Sequence, residues 1–167
     1  MDFEQLYKMQ KELDEKIEKK HGLEEERLIE RKVLALLVEI GELANETRCF
    51  KFWSVKPPSD REVILEEYVD GLHFLLSIGH ELYIEKLPEM KARKIDKSLT
   101  DLFLNVYQKT AKFSEYLSVQ AYIDLFNDYV TLGSALGFSE EDIISAYMAK
   151  NEVNHARQNR EALYGRP

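Results

Sequence analysis

Two stretches of the chain place acids where acids are costly. In "VLALLVEIGELANETRCFKFWS", residues 33–54, the first half is mostly Val, Leu, Ile and Ala, yet Glu39 and Glu42 interrupt it three residues apart. Residues three, four and seven apart share a helix face, so Glu39, Glu42 and Glu46 project together. A second apolar stretch, "VILEEYVDGLHFLLSIG" at 63–79, repeats the arrangement with Glu66, Glu67 and Asp70. An unpaired carboxylate in such surroundings protonates or acquires a partner. Neither 33–45 nor 63–79 contains a Lys or Arg to serve. Packed side by side, the two helices would bring together four acids, Glu39, Glu42, Glu67 and Asp70. Hard oxygen ligands in a cluster are what Mg²⁺ prefers, with Mn²⁺ as a substitute. A single E-x-x-E is more often a solvated helix edge; two such pairs inside apolar helices favour metal.

Near the C-terminus, "AYMAKNEVNHARQNR" sets Tyr147, Lys150, Asn154, Arg157 and Gln158 on one helical face. Cations one or two turns apart with amides between them suit phosphate oxygens. Alone, the same residues could simply complement a helix dipole; beside an acidic metal cluster the polyphosphate reading gains. Trp53, the only Trp, sits in the loop that follows the first acidic helix. It could stack on a base or anchor its loop to the core.

These residues need helices to carry them, and the rest of the chain reads as helix. Pro (4) and Gly (7) are scarce, and no stretch alternates for long as a strand would. Apolar spacing from Phe3 to Ile17 gives a first helix ending at Gly22. A second runs from about Glu24 to Arg48, and Pro57 and Pro58 break the chain after it. Ser59 with Glu62 reads as a capping box for a third helix to about Tyr83. After a connector containing Pro88 and "KARKID", Ser98 with Asp101 opens a fourth. "SVQAYIDLFNDYVTLGSALG" supplies a fifth, stopped by Gly137, and Ser139 with Asp142 starts a sixth that reaches about Arg160. The tail "YGRP" reads as frayed. The expectation is a single all-α domain over 1–167, a bundle of about six helices.

Composition limits the partners. The net charge of −8, from 23 basic and 31 acidic residues, argues against a nucleic-acid duplex, but not against a small anion arriving with divalent cations. No apolar run reaches the roughly 18 residues of a membrane span. One cysteine, Cys49, makes no internal disulfide, and a reducing cytoplasm is the expected setting.

The acidic pattern resembles a known group. "EIGELANE", the 24 residues from Leu43 to Glu66, and "EYVD" resemble the E-x-x-E…E-x-x-D signature of the all-α nucleotide pyrophosphohydrolases, the MazG-like superfamily. "TRCFKFW", "EYVDGLHFLLSIG", "KNEVNHARQ" and the N-terminal "LYKMQKELDEKI" narrow the resemblance to the dimeric dUTPases, over nearly the whole chain. The resemblance implies Mg²⁺ at Glu39, Glu42, Glu67 and Asp70. It implies the phosphate chain at Lys150, Asn154 and Arg157, with Tyr147, and the nucleoside at Gln10, Trp53 and His73. Asp14 stands where many members carry Asn. An ionised Asp only accepts, so Asp14 would take uracil N3–H while Gln10 donates to a carbonyl. The implied function is Mg²⁺-dependent hydrolysis of dUTP, and of dUDP, by a cytoplasmic homodimer. Glu39 is the expected base, with Glu42 on the same face. Any mobile helical insertion would have to be small, in the region 86–116.

Three competitors remain open at this point. One is a MazG-like pyrophosphohydrolase for another nucleotide. A di-iron or di-manganese bundle would use Glu152 with His155 and Asp70 with His73. A non-enzymatic helical scaffold would leave the acids solvated.

Overall fold

The computed structural model describes residues 1–164, with side chains over 1–160. It consists of six helices with no strand among the described residues: α1 Glu4–His21, α2 Ile29–Thr47, α3 Arg61–Glu81, α4 Leu99–Tyr116, α5 Val119–Ala135 and α6 Glu140–Tyr164. The all-α expectation holds, and no described helix is long and apolar enough to cross a membrane. Beyond Tyr164, the tail read as frayed lies outside the described residues.

Helix α2 forms because Val33, Leu36, Ile40, Leu43 and Thr47 recur at spacings of three and four, and all are buried. It starts at Ile29, later than expected. Leu23 N–H bonds back to Glu18 and Glu26 N–H to Leu23 (2.8 and 3.0 Å), so the chain turns there and brings Leu28 and Ile29 to the core while Glu24–Glu26 stay exposed. The Ser59–Glu62 capping box does not form. The Ser59 hydroxyl donates instead to the Glu46 carboxylate, and its N–H to the Glu46 carbonyl (3.0 Å), which pins the loop to the end of α2. The other caps are as read: Ser98 Oγ accepts from Asp101 N–H (3.2 Å), and Ser139 and Asp142 cap each other reciprocally (3.1 and 2.9 Å). Each such cap contributes about 1 kcal/mol.

Helices α2 and α3 run antiparallel, as Lys32 near the start of α2 meets Glu81 at the end of α3 (2.6 Å). Helices α4 and α5 form a hairpin, and α6 returns against α1 and α3. The region 86–116 packs into the common core. Leu102, Phe103, Val106 and Phe113 of α4 belong to the same core as Leu36 and Leu72, and Met90 is fully buried with its N–H on the Met1 carbonyl (2.9 Å).

One contact sets the rotation of α3. The Tyr68 hydroxyl donates to the Tyr129 carbonyl (2.9 Å), and the Tyr129 hydroxyl donates to the Tyr68 carbonyl (2.6 Å). Their rings stack at 4.5 Å. With Tyr68 clasped to α5, the flanking Glu67 and Asp70 are turned toward α2. The clasp needs glycine opposite each hydroxyl: a Cβ on Gly71 would collide with Tyr129, and one on Gly133 with the Tyr68 ring. Gly133→Ala should therefore lower stability by about 1–3 kcal/mol in urea unfolding, because a fully buried tyrosine has no room to yield. An unchanged midpoint would show that the clasp is not rigid.

Candidate active site

Opposed across the α2–α3 contact, Glu39, Glu67 and Asp70 each offer a carboxylate oxygen within 4.8 Å of the others. Glu39 Oε2 and Glu67 Oε2 are buried without a hydrogen-bond partner. Burial, then the charges of Asp70 and Glu42, push the Glu39 carboxyl up to about 8. The same causes push Glu67 up to about 7. Burial raises Asp70 as well, against the opposing pull of Lys150. Glu42 stands exposed at the rim, outside the group of three, yet close enough to act on both Glu39 and Glu67. Glu46, on the same face of α2, is engaged by Ser59. Hard oxygen donors crowded together, two of them with an unpartnered oxygen, fit a divalent cation.

Lys150 reaches this cluster from α6, its Nζ 2.9 Å from Glu66 Oε1 and 3.2 Å from Asp70 Oδ1. Burial works against its charge, but the two carboxylates outweigh burial and its pKa is raised. A cavity of about 480 Å³ opens beside it. Glu39, Asp70, Lys150, Asn154 and Arg157 line one part of the cavity wall. Leu13, Ile17, Leu23, Leu28 and Phe74 supply apolar wall, with Asp14, Ser77 and Lys32 as polar groups among them.

The structure brings most of the sequence-predicted residues to this one cavity and places Tyr147 and Trp53 away from its wall. Gln10 does line it, but its amide is engaged inside the protein. Its Nε2 donates to Asp14 Oδ1 (2.8 Å), and its Oε1 faces both the Tyr147 hydroxyl (2.8 Å) and His73 Nδ1 (2.6 Å). An amide oxygen only accepts, so His73 carries its hydrogen on Nδ1 and leaves Nε2 as a bare lone pair, buried without a partner. Burial, then the Lys150 charge, lowers the His73 pKa to about 3. Tyr147, expected with the phosphate-holding residues, is instead 0% exposed and stacked on His73 at 4.2 Å. It lies one turn before Lys150, on the part of α6 that faces the core. Trp53, expected at the base, is 64% exposed and packs edge-on against Phe52 at 5.1 Å; it does not line the cavity.

The competing metal arrangement is not assembled. Glu152 is exposed and His155 lies by Lys16 of α1 (3.4 Å), while His73 is held by Gln10. Sequence reasoning missed Lys32 and Ser77. The available signal was their spacing: Lys32 lies seven residues before Glu39, and Ser77 seven after Asp70.

Fold and site together have the layout of an all-α phosphohydrolase, with acids and cations facing one cavity. A family model described as dUTPase matches residues 2–161, and the chain belongs to that family, the all-α dUTPases. Membership carries the general activity, hydrolysis of dUTP as a dUTP diphosphatase, and makes a nucleotide its substrate. No curated protein matches the chain at the significance required.

The raised carboxyls have a consequence for stability. Glu39 and Glu67 titrate near 8 and 7 in the folded chain, above the ordinary value of about 4.3. Between those values the folded state holds more protons than the unfolded state, so stability is full at low pH and is lost as pH rises through 7 to 8. In EDTA, Tm followed by circular dichroism should fall between about pH 5.5 and pH 8. Mg²⁺ should raise Tm more at the higher pH, where it meets ionised acids. A flat profile with no Mg²⁺ effect would mean the acids are solvated.

Proposed function

We propose that the protein hydrolyses dUTP to dUMP and pyrophosphate, and dUDP to dUMP and phosphate, with Mg²⁺ held by Glu39, Glu67 and Asp70 and supported from the rim by Glu42. The observation that carries this reading is the group of three carboxylates, two with an unpartnered buried oxygen, of which Glu39 and Asp70 line the same cavity as Lys150, Asn154 and Arg157. A divalent cation bound there supplies Lewis acidity toward phosphate oxygens and toward water.

The protein's own groups do the rest. Lys150 exchanges its ion pairs with Glu66 and Asp70 for the phosphate chain, and Arg157 and Asn154 add further donors to phosphate oxygens. These cations stabilise the charge that gathers on the leaving pyrophosphate as the α–β bridge breaks. Glu39 takes the proton of the attacking water; Glu42, on the same face, is the alternative base. The apolar walls around Phe74 hold the base and exclude water. The nucleoside stacks beside His73, whose ring Gln10 orients.

The resemblance to dimeric dUTPases further proposes a homodimer. Phe52 at 93% and Trp53 at 64% exposure support it, since so much aromatic surface on one loop is unusual for a lone chain. A cytoplasmic setting accords with the free Cys49 thiol.

Pyrophosphate release from dUTP, dTTP, dCTP and UTP, with Mg²⁺ and with EDTA, tests the assignment. Turnover should be confined to dUTP and abolished by EDTA. Glu39→Gln should lower kcat by about 10²- to 10⁴-fold, the usual worth of a general base. Preference for another nucleotide would keep the metal site and overturn the uracil assignment; no turnover at all would end the enzymatic reading.

A further inference from the structure

The cavity holds a second polar group, separated from the acids by helix register. Lys32 precedes Glu39 by seven residues on α2, and Ser77 follows Asp70 by seven on the antiparallel α3. Both therefore sit two turns from the acid cluster, about 10.5 Å along the helices, on the faces that line the cavity. That displacement is on the scale of a nucleoside. Asp14 of α1 lies at the same level, aligned from two sides: Ser77 Oγ donates to its Oδ2 (2.7 Å) and Gln10 Nε2 to its Oδ1 (2.8 Å). Lys32 is held by Glu81 at 2.6 Å and Glu18 at 3.8 Å, with only 13% of its side chain exposed. Glu81 takes one of its three donors, so an ammonium hydrogen can still be offered to a ligand.

We infer that Lys32 is a specificity-determining residue that, paired with Asp14, reads the base edge on which a ring N–H adjoins a carbonyl. The inference rests on the dUTP-hydrolysing function proposed above. With the phosphates at the acid cluster, the edge of the base farthest from the sugar arrives at the level of Lys32. In uracil that edge offers N3–H to the Asp14 carboxylate and the 4-oxygen to Lys32. Cytosine reverses both, setting a ring lone pair against a carboxylate and an amino group against an ammonium. A site built for one hydrogen-bond pattern rejects the other because its own buried groups are left unpaired. Thymine presents the same edge as uracil, so Lys32 does not separate those two bases. Lys32 adds a donor to the carbonyl at the level of Asp14, where Gln10 Nε2 already gives one of its two hydrogens to the Asp14 carboxylate.

The test is Mg²⁺-dependent hydrolysis of dUTP, dTTP and dCTP by the unaltered protein, Lys32→Gln and Lys32→Arg. An amide can donate to a carbonyl or accept from an amino group. In Lys32→Gln the dUTP:dCTP ratio of kcat/KM should therefore fall about 10- to 100-fold. KM for dUTP and dTTP should rise in parallel, with kcat little changed because Lys32 lies two turns from the acids. Lys32→Arg keeps a cationic donor and the pairing with Glu18 and Glu81, and should retain the dUTP preference. An equal loss on all three nucleotides in Lys32→Gln would assign Lys32 a purely structural role and overturn the inference. Should the Gln variant not fold, the unaltered protein decides with an analogue of dUTP carrying sulfur in place of the 4-oxygen, which keeps N3–H for Asp14 but offers Lys32 a weak acceptor. A loss of about 10-fold or more in kcat/KM supports the inference, and equal turnover overturns it. A dUTP preference that survives in Lys32→Gln overturns Lys32 alone, whereas an unaltered protein that favours dCTP overturns the uracil reading together with it.

Discussion

Crowded like charge is the constraint around which this protein is organised. Glu39, Glu67 and Asp70 hold carboxylate oxygens within 4.8 Å of one another. Two unit charges about 4 Å apart repel by roughly 4 kcal/mol at the effective dielectric near a protein surface, so three ionised acids cannot hold themselves together. The surrounding packing must hold them. The reciprocal tyrosine clasp locks α3 against α5, and Leu36, Ile40 and Leu43 seat α2 from the opposite side. The repulsion is relieved by protons, by Lys150 or, on the proposed function, by a divalent cation. On that proposal, a core that enforces this arrangement would hold the acids ready for a cation before one arrives.

Lys150 links the two halves of the chemistry. In the free protein it is the counter-ion of Asp70 and Glu66. On the proposed function, a cation that satisfies the acids would free the Lys150 charge for phosphate on the same wall. The polar chain behind it is equally economical. Tyr147 and His73 converge on one amide oxygen of Gln10, whose nitrogen holds Asp14. The residues that orient the ring of His73 thus also orient the Asp14 carboxylate.

Much of this was legible in the chain. Helical periodicity marked all six elements, and Ser98, Ser139 and Gly137 punctuated them where the structure does. Two E-x-x-acid pairs inside apolar helices announced a cluster, because such acids have no tolerable place alone. Local rules failed where a distant partner competed for a group. Ser59 gave up its cap for Glu46 across the loop, and α2 started late because Leu28 and Ile29 are drawn into the core. Trp53 and Tyr147 show the same limit. Their residue types suit a ligand, but only packing decides that one is left in solvent and the other sealed beneath His73.

By itself the sequence determined the helices, their faces and the acids and cations those faces carry, since period and residue type are local properties of a chain. Only the tertiary structure decided which faces meet. The antiparallel register of α2 and α3 pairs Glu39 with Asp70 and, two turns away, brings Lys32 to the level of Ser77 and Asp14. That register follows from how buried side chains interlock across the whole core, a long-range condition that no single stretch of sequence contains.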